Sequence, residues 1–144
     1  MPRIKIDLPD QFTFSTVIDI RITDINYGGH VGNDTILSII HEARTRFLKN
    51  YGYTELNLDG PGLIMSDAGV EFKNELFYGE SVIVSVTVSE FTKAAFEIYY
   101  KLEKKKEEAT VVVAIAKTGM VCYDYQKRKI APIPEGVKIK LSGH

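Results

Sequence analysis

The stretch Asp24-Ile25-Asn26-Tyr27-Gly28-Gly29-His30-Val31-Gly32-Asn33-Asp34, running straight into TILSIIHEARTRFLKN and ending at Asn50, decides the fold. Its first part carries three glycines among turn-forming polar residues, which suits a tight, ligand-accessible loop and no regular element. Its second part repeats apolar residues at helical spacing: Ile36, Leu37, Ile40, Ala43, Phe47 and Leu48. With Asn33 or Asp34 placed to cap the first turn and Gly52 just past the end, the spacing predicts a helix over Asp34 to Asn50. Ile39 beside Ile36 and Ile40 widens the apolar surface, so the helix is expected to be largely enclosed by the rest of the domain.

Upstream of the loop, FTFSTVIDIRI from Phe12 to Ile22 alternates apolar and polar residues as a half-buried strand does. Downstream, Tyr51 to Pro61 has turn chemistry, and Gly60-Pro61-Gly62 marks the return of extended structure. The second half then reads as four strands: Leu63 to Leu76, Ser81 to Phe91, Ala95 to Glu103 and Ala109 to Tyr125. Their connections are too short for parallel crossovers, so the neighbours are expected to be antiparallel. One helix among such strands predicts an α+β fold in which a curved antiparallel sheet wraps one long central helix.

Nothing repeats along the 144 residues and no linker divides them, so a single domain over 1–144 is expected. A formal net charge of -1 gives no reason to expect nucleic acid. No apolar run approaches a membrane span. A lone cysteine, Cys122, cannot bridge within the chain, and the start resembles no signal peptide; a cytoplasmic address is therefore expected. The histidines His30, His41 and His144 form no recognisable metal spacing, and no redox-cofactor motif is present.

The loop and helix resemble the hotdog thioesterases of the 4-hydroxybenzoyl-CoA and acyl-CoA thioesterase type, whose pattern is Asp-x-Asp-x-x-Gly-His-Val-x-Asn followed by Glu-x-Ala-Arg. The matching residues are Asp24, Asn26, Gly29, His30, Val31 and Asn33, then His41-Glu42-Ala43-Arg44, with His41 in the glutamate column. Val70-Glu71-Phe72 and Phe77-Tyr78-Gly79-Glu80 look like the family's strand and turn before its long hairpin. The resemblance implies a hotdog fold, a homodimer or homotetramer, and hydrolysis of acyl-CoA or acyl-carrier-protein thioesters without a cofactor. It departs at Asn26, where the family's catalytic carboxylate stands in several members; an amide can neither take a proton nor attack a thioester in its place.

Thioester hydrolysis needs activated water and donors aimed at the carbonyl oxygen, and a glycine-rich loop leading into a helix N-terminus can supply the donors. The resemblance assigns that role to the Asn33 amide, with Asp24, Asn26 and His30 around the reacting group and Gly29 and Gly32 shaping the loop. Ser66 is expected to line the pocket, and Lys93 falls where the family meets nucleotide phosphates. Each residue has a plainer alternative. Asn33 could simply cap, Asp24 accept loop amides, Glu42 pair with Arg46, and Lys104 to Lys106 form a solvated hairpin tip. Tyr99, Tyr100, Tyr123 and Tyr125 read as sheet residues. Two other functions stay open: a hotdog hydratase, although Asp24-x-Asn26-x-x-x-His30 is one residue longer than its motif, and a silent acyl-CoA-binding protein.

Overall fold

The long helix α1 runs Asn33–Asn50, and it buries Ile36, Ile39, Ile40, Ala43, Phe47 and Leu48 along one side. Those positions follow the 3.6-residue period, so a single apolar stripe meets the sheet. The opposite side, with Asp34, Ser38, His41, Glu42 and Thr45, is exposed. Expected enclosure is therefore only half realised, because the sheet curls around one face and polar residues occupy the other. The helix starts one residue earlier than predicted. Gly32 is its N-cap and offers no capping side chain, which places Asn33 and Asp34 inside the first turn instead of at the cap. At the other end Gly52 takes a left-handed φ of 87°, as its position past the helix requires.

The structure, a computed structural model, describes residues 3–143. Around α1 lie β1 (Phe14–Asp19), β2 (Gly62–Phe72), β3 (Ser81–Ser89), β4 (Ala95–Lys106), β5 (Ala109–Asp124) and β6 (Lys129–Ile130), with a short C-terminal helix α2 (Glu135–Leu141). The strands form one antiparallel sheet ordered β1-β3-β4-β5-β2, with β6 pairing β5. The helix stripe packs against the inward residues Val82, Val84, Phe96, Ile98, Tyr100, Leu102, Ala114 and Ala116, all nearly inaccessible. Val137 and Leu141 of α2 extend this core.

The larger departures from the sequence reading fall at three strand ends. The first strand stops at Asp19, and Ile22–Asp24 forms a 3-10 turn. β2 ends at Phe72, so Lys73 to Glu80 is a loop crossing toward β3. β4 carries on through Lys104 to Lys106, and only Lys105 and Lys106 are solvated there. Lys104 is buried: its Nζ donates to the Glu75 carbonyl at 2.6 Å and to Glu80 Oε1 at 3.1 Å, and it lies over the Phe77 ring. A lysine this enclosed needs such partners to keep its charge. Its role is to fasten the 73–80 loop.

Candidate active site

A miniature hairpin makes the loop before α1. Ile25 bridges Val31, the Asn26 amide donates to the His30 carbonyl at 2.9 Å, and the Gly29 amide donates to the Asn26 carbonyl at 3.1 Å. Gly29 closes it at a φ of 86°, which a side chain would strain. Inside the turn, Asn26 Oδ1 accepts the Gly28 amide at 2.9 Å and the His30 amide at 3.4 Å. Its oxygen thus braces the loop, a task an amide performs as well as a carboxylate. The loop is tied to its neighbour by the Val31 amide, which donates to the Leu76 carbonyl at 2.8 Å.

That brace fixes what emerges at the helix N-terminus. The Thr35 and Ile36 amides both donate to the Gly32 carbonyl, whereas the Asn33 amide finds no acceptor among the described residues. A free amide is normal for a first helical turn. Here it stands beside a cavity of about 220 Å³ lined by His30, Asn33, Ile36, Phe72, Glu75 and Val113 among others. A Cβ on Gly32 would come within 2.6 Å of Asp34 Oδ1, the end of an exposed side chain, and would push that carboxylate aside.

His30 is fixed on one side only. Its Nδ1 lies 3.1 Å from the Val31 carbonyl oxygen, which can only accept, so Nδ1 carries the hydrogen and Nε2 faces outward. The group it faces is Glu75, whose Oε1 is 3.8 Å away. Glu75 comes from the 73–80 loop and was not singled out in the sequence. It sits in a run read as strand, and only the observed loop, pinned through Val31 and Lys104, folds it back over the helix N-terminus.

The remaining candidates separate. Asp24 is buried, and its carboxylate accepts the Arg21 amide at 2.8 Å within the 3-10 turn. It borders a different cavity of about 400 Å³ together with Glu42 and Arg46, away from His30. Glu42 pairs with Arg46 at 2.8 Å, the plainer alternative for it. Ser66 donates to the Gly119 carbonyl at the bulge in β2 and borders a third cavity of about 430 Å³. Lys93 is exposed in the β3–β4 turn, where its carbonyl accepts the Ile133 amide. Within the chain, then, His30 and Asn33 share a cavity and Ser66 and Lys93 do not join them. Among the described residues no group of three metal-binding side chains occurs; His144 lies outside those residues.

A six-stranded antiparallel sheet cupping one long helix, with a braced loop and a cavity at the helix N-terminus, is the hotdog architecture of thioester-processing proteins. The chain belongs to the thioesterase-like superfamily, whose profile matches residues 20–141. It is similar to a 1,4-dihydroxy-2-naphthoyl-CoA hydrolase of Microcystis aeruginosa, 32% identical over 122 residues, which are 83% of this chain and 86% of that one. Among solved structures, a 1,4-dihydroxy-2-naphthoyl-CoA thioesterase from Synechocystis superposes with a TM-score of 0.78 at 22% identity, covering 89% of this chain and 94% of the other. A 4-hydroxybenzoyl-CoA thioesterase mutant complexed with 4-hydroxybenzoyl-CoA does so with 0.79 at 14% identity, covering 90% and 97%. At those identities the solved structures speak for the fold.

Proposed function

We propose that this protein is an acyl-CoA thioesterase, hydrolysing the thioester of an acyl-CoA, or of an acyl carrier protein, to a free acid and a thiol at the His30–Asn33 cavity. The observation that carries the assignment of the site is the unengaged amide of Asn33 at the positive end of α1, in a residue that lines the same cavity as His30. A thioester carbonyl placed there meets a donor whose interaction strengthens as its oxygen becomes an oxyanion. Asn26 and Gly29 hold the loop in the shape that keeps this amide and the imidazole together. Asp24 holds the preceding turn, where its carboxylate accepts the Arg21 amide.

The working unit in this reading is a homodimer. β2 is an edge strand of 11 residues with Ile64, Met65 and Phe72 exposed, and an open apolar edge of this length invites pairing with another strand. A second copy added there would bring its own Ser66 toward the seam and enclose a cavity that one protomer leaves open. Lys93 of either copy is then free to meet the coenzyme phosphates. The proposed address is the cytoplasm, where the free thiol of Cys122 stays reduced.

Hydrolysis of a panel of straight-chain and aromatic acyl-CoAs, followed by thiol release, tests the reading. Turnover of at least one member is expected, with stable absorbance from an enoyl-CoA in the same assay. No thiol release from any of them overturns it.

A further inference from the structure

We infer that Glu75 is the catalytic base of the proposed thioesterase, supplying from the β2–β3 loop the carboxylate that the helix-entry loop lacks at Asn26. The inference rests on the thioesterase reading and names the group that activates its water. Three observations meet at this residue. Glu75 Oε1 lies 3.8 Å from His30 Nε2, too far for a direct hydrogen bond. His30 Nδ1 is committed to the Val31 carbonyl, so in the neutral ring Nε2 is an acceptor and faces a second acceptor. Both groups border the cavity that the Asn33 amide adjoins.

Two acceptors held this way favour one small donor between them. A water molecule giving one hydrogen to Nε2 and the other to the carboxylate satisfies both and turns its lone pair toward the cavity. Glu75 is free to take the proton. Lys73 pairs with Glu71, and the Lys104 ammonium holds the Glu75 backbone carbonyl and Glu80 instead of the Glu75 carboxylate. Asp34 and Glu80 are the other acids near this loop and helix turn; the Glu80 carboxylate is taken by Lys104 and the Phe77 amide. Lys104 is thereby a positioning residue, since it anchors the segment that presents Glu75.

The step balances as follows. Water oxygen bonds to the thioester carbonyl carbon while its proton passes to Glu75, and the carbonyl π pair moves onto the oxygen held by the Asn33 N–H. Collapse restores the C=O bond and breaks the C–S bond. The leaving thiolate takes the proton from Glu75, and the acid product releases its own to solvent. Neither oxidant nor metal is needed.

Glu75 is largely exposed, so substitutions there leave folding intact. With the best acyl-CoA of the panel, Glu75→Gln is expected to lower kcat by about a hundredfold or more, the size of a lost general base. KM is expected to stay within about threefold, because the amide keeps the shape of the pocket. Glu75→Asp, which keeps the charge on a shorter arm, should recover part of the loss, and Glu108→Gln at the solvated hairpin tip should behave as wild type. A Glu75→Gln protein with wild-type kcat and unchanged melting temperature overturns the inference while leaving the thioesterase reading in place. A wild-type protein that releases no thiol overturns both.

Discussion

Two polar clusters sit on the same helix, and they differ in what their hydrogen-bonding groups have left to do. At the N-terminus of α1 the Asn33 amide is unengaged, His30 Nε2 points outward, and Glu75 stands unbonded beside it. Eleven residues along, Arg44 is buried against the sheet with no buried side-chain nitrogen or oxygen left without a partner among the described residues: Nε donates to Glu55 at 2.9 Å and Nη1 to the Tyr100 hydroxyl at 3.2 Å, which in turn meets Thr118 at 2.8 Å. His41 joins at the rim, 3.3 Å from Glu55. The saturated cluster belongs to the architecture, and the unsaturated one has valence left for a ligand. Charge alone does not tell them apart, because both contain a histidine next to a glutamate.

Substitutions at the two clusters should therefore separate activity from stability. The largest effect is expected from His30→Ala: about a thousandfold lower kcat, or ~4 kcal/mol in the barrier, with an unchanged melting temperature. Thiol-release kinetics beside thermal unfolding check this, and a falling melting temperature without loss of rate would reverse the two roles. Next comes Arg44→Met, which strands Glu55 next to the core and is expected to cost about 3 kcal/mol in denaturant unfolding. Its kcat per folded molecule should match wild type. If turnover fell while stability held, the mid-helix cluster would have to be counted part of the site.

The contrast also explains what could be read in advance. The helix and its facing strands were legible because burial imposes periods of 3.6 and 2 on the apolar residues, from Ile36 to Leu48 and from Val82 to Val88. His30 and Asn33 were legible because they share one short loop. Glu75 was not, since its partnership with His30 spans 45 positions and depends on a strand ending at Phe72, where Phe77 and Leu76 prolong the apolar pattern. Lys104 was misread with Lys105 and Lys106 for a related reason: three consecutive lysines look alike, yet only Lys104 meets the 73–80 loop, while Lys106 on the same side of the strand reaches solvent at the hairpin tip. Asp24 was readable both as an acid near the reacting group and as a turn residue accepting amides, and the 3-10 turn shows its carboxylate accepting the Arg21 amide.

Smaller changes sharpen the boundary between the clusters. Gly32→Ala places a Cβ 2.6 Å from Asp34 Oδ1 and in ordinary contact, 3.5 Å, with Asn26 Nδ2, so the exposed Asp34 side chain must swing aside while the first turn stays in place. A fall in kcat/KM of no more than about threefold is expected, ~0.65 kcal/mol, read by the same thiol assay. A tenfold fall would mean that the spacing of loop and helix depends on this glycine. Tyr100→Phe removes the hydroxyl between Arg44 and Thr118 and should cost about 1 kcal/mol of stability with activity intact.

The smallest effect concerns Cys122, a third kind of buried polar group, which the core keeps neutral without pairing it. Burial pushes its thiol from 9.0 up to about 11. The folded state thus holds a proton that the unfolded chain gives up earlier. The stability this represents is complete below pH 9, begins to fail as the unfolded thiol ionises, and is lost as pH climbs toward 11. At pH 9 itself, where half the unfolded thiols have ionised, the loss is only about 0.4 kcal/mol. Tyr100, also pushed up by burial, acts in the same sense at higher pH. Comparing wild type with Cys122→Ala isolates the thiol: denaturant unfolding at pH 7 and pH 9 should show the wild type losing more. Equal losses in the two proteins would mean that water reaches Cys122 in the folded state, and with it the sheet beneath the saturated cluster.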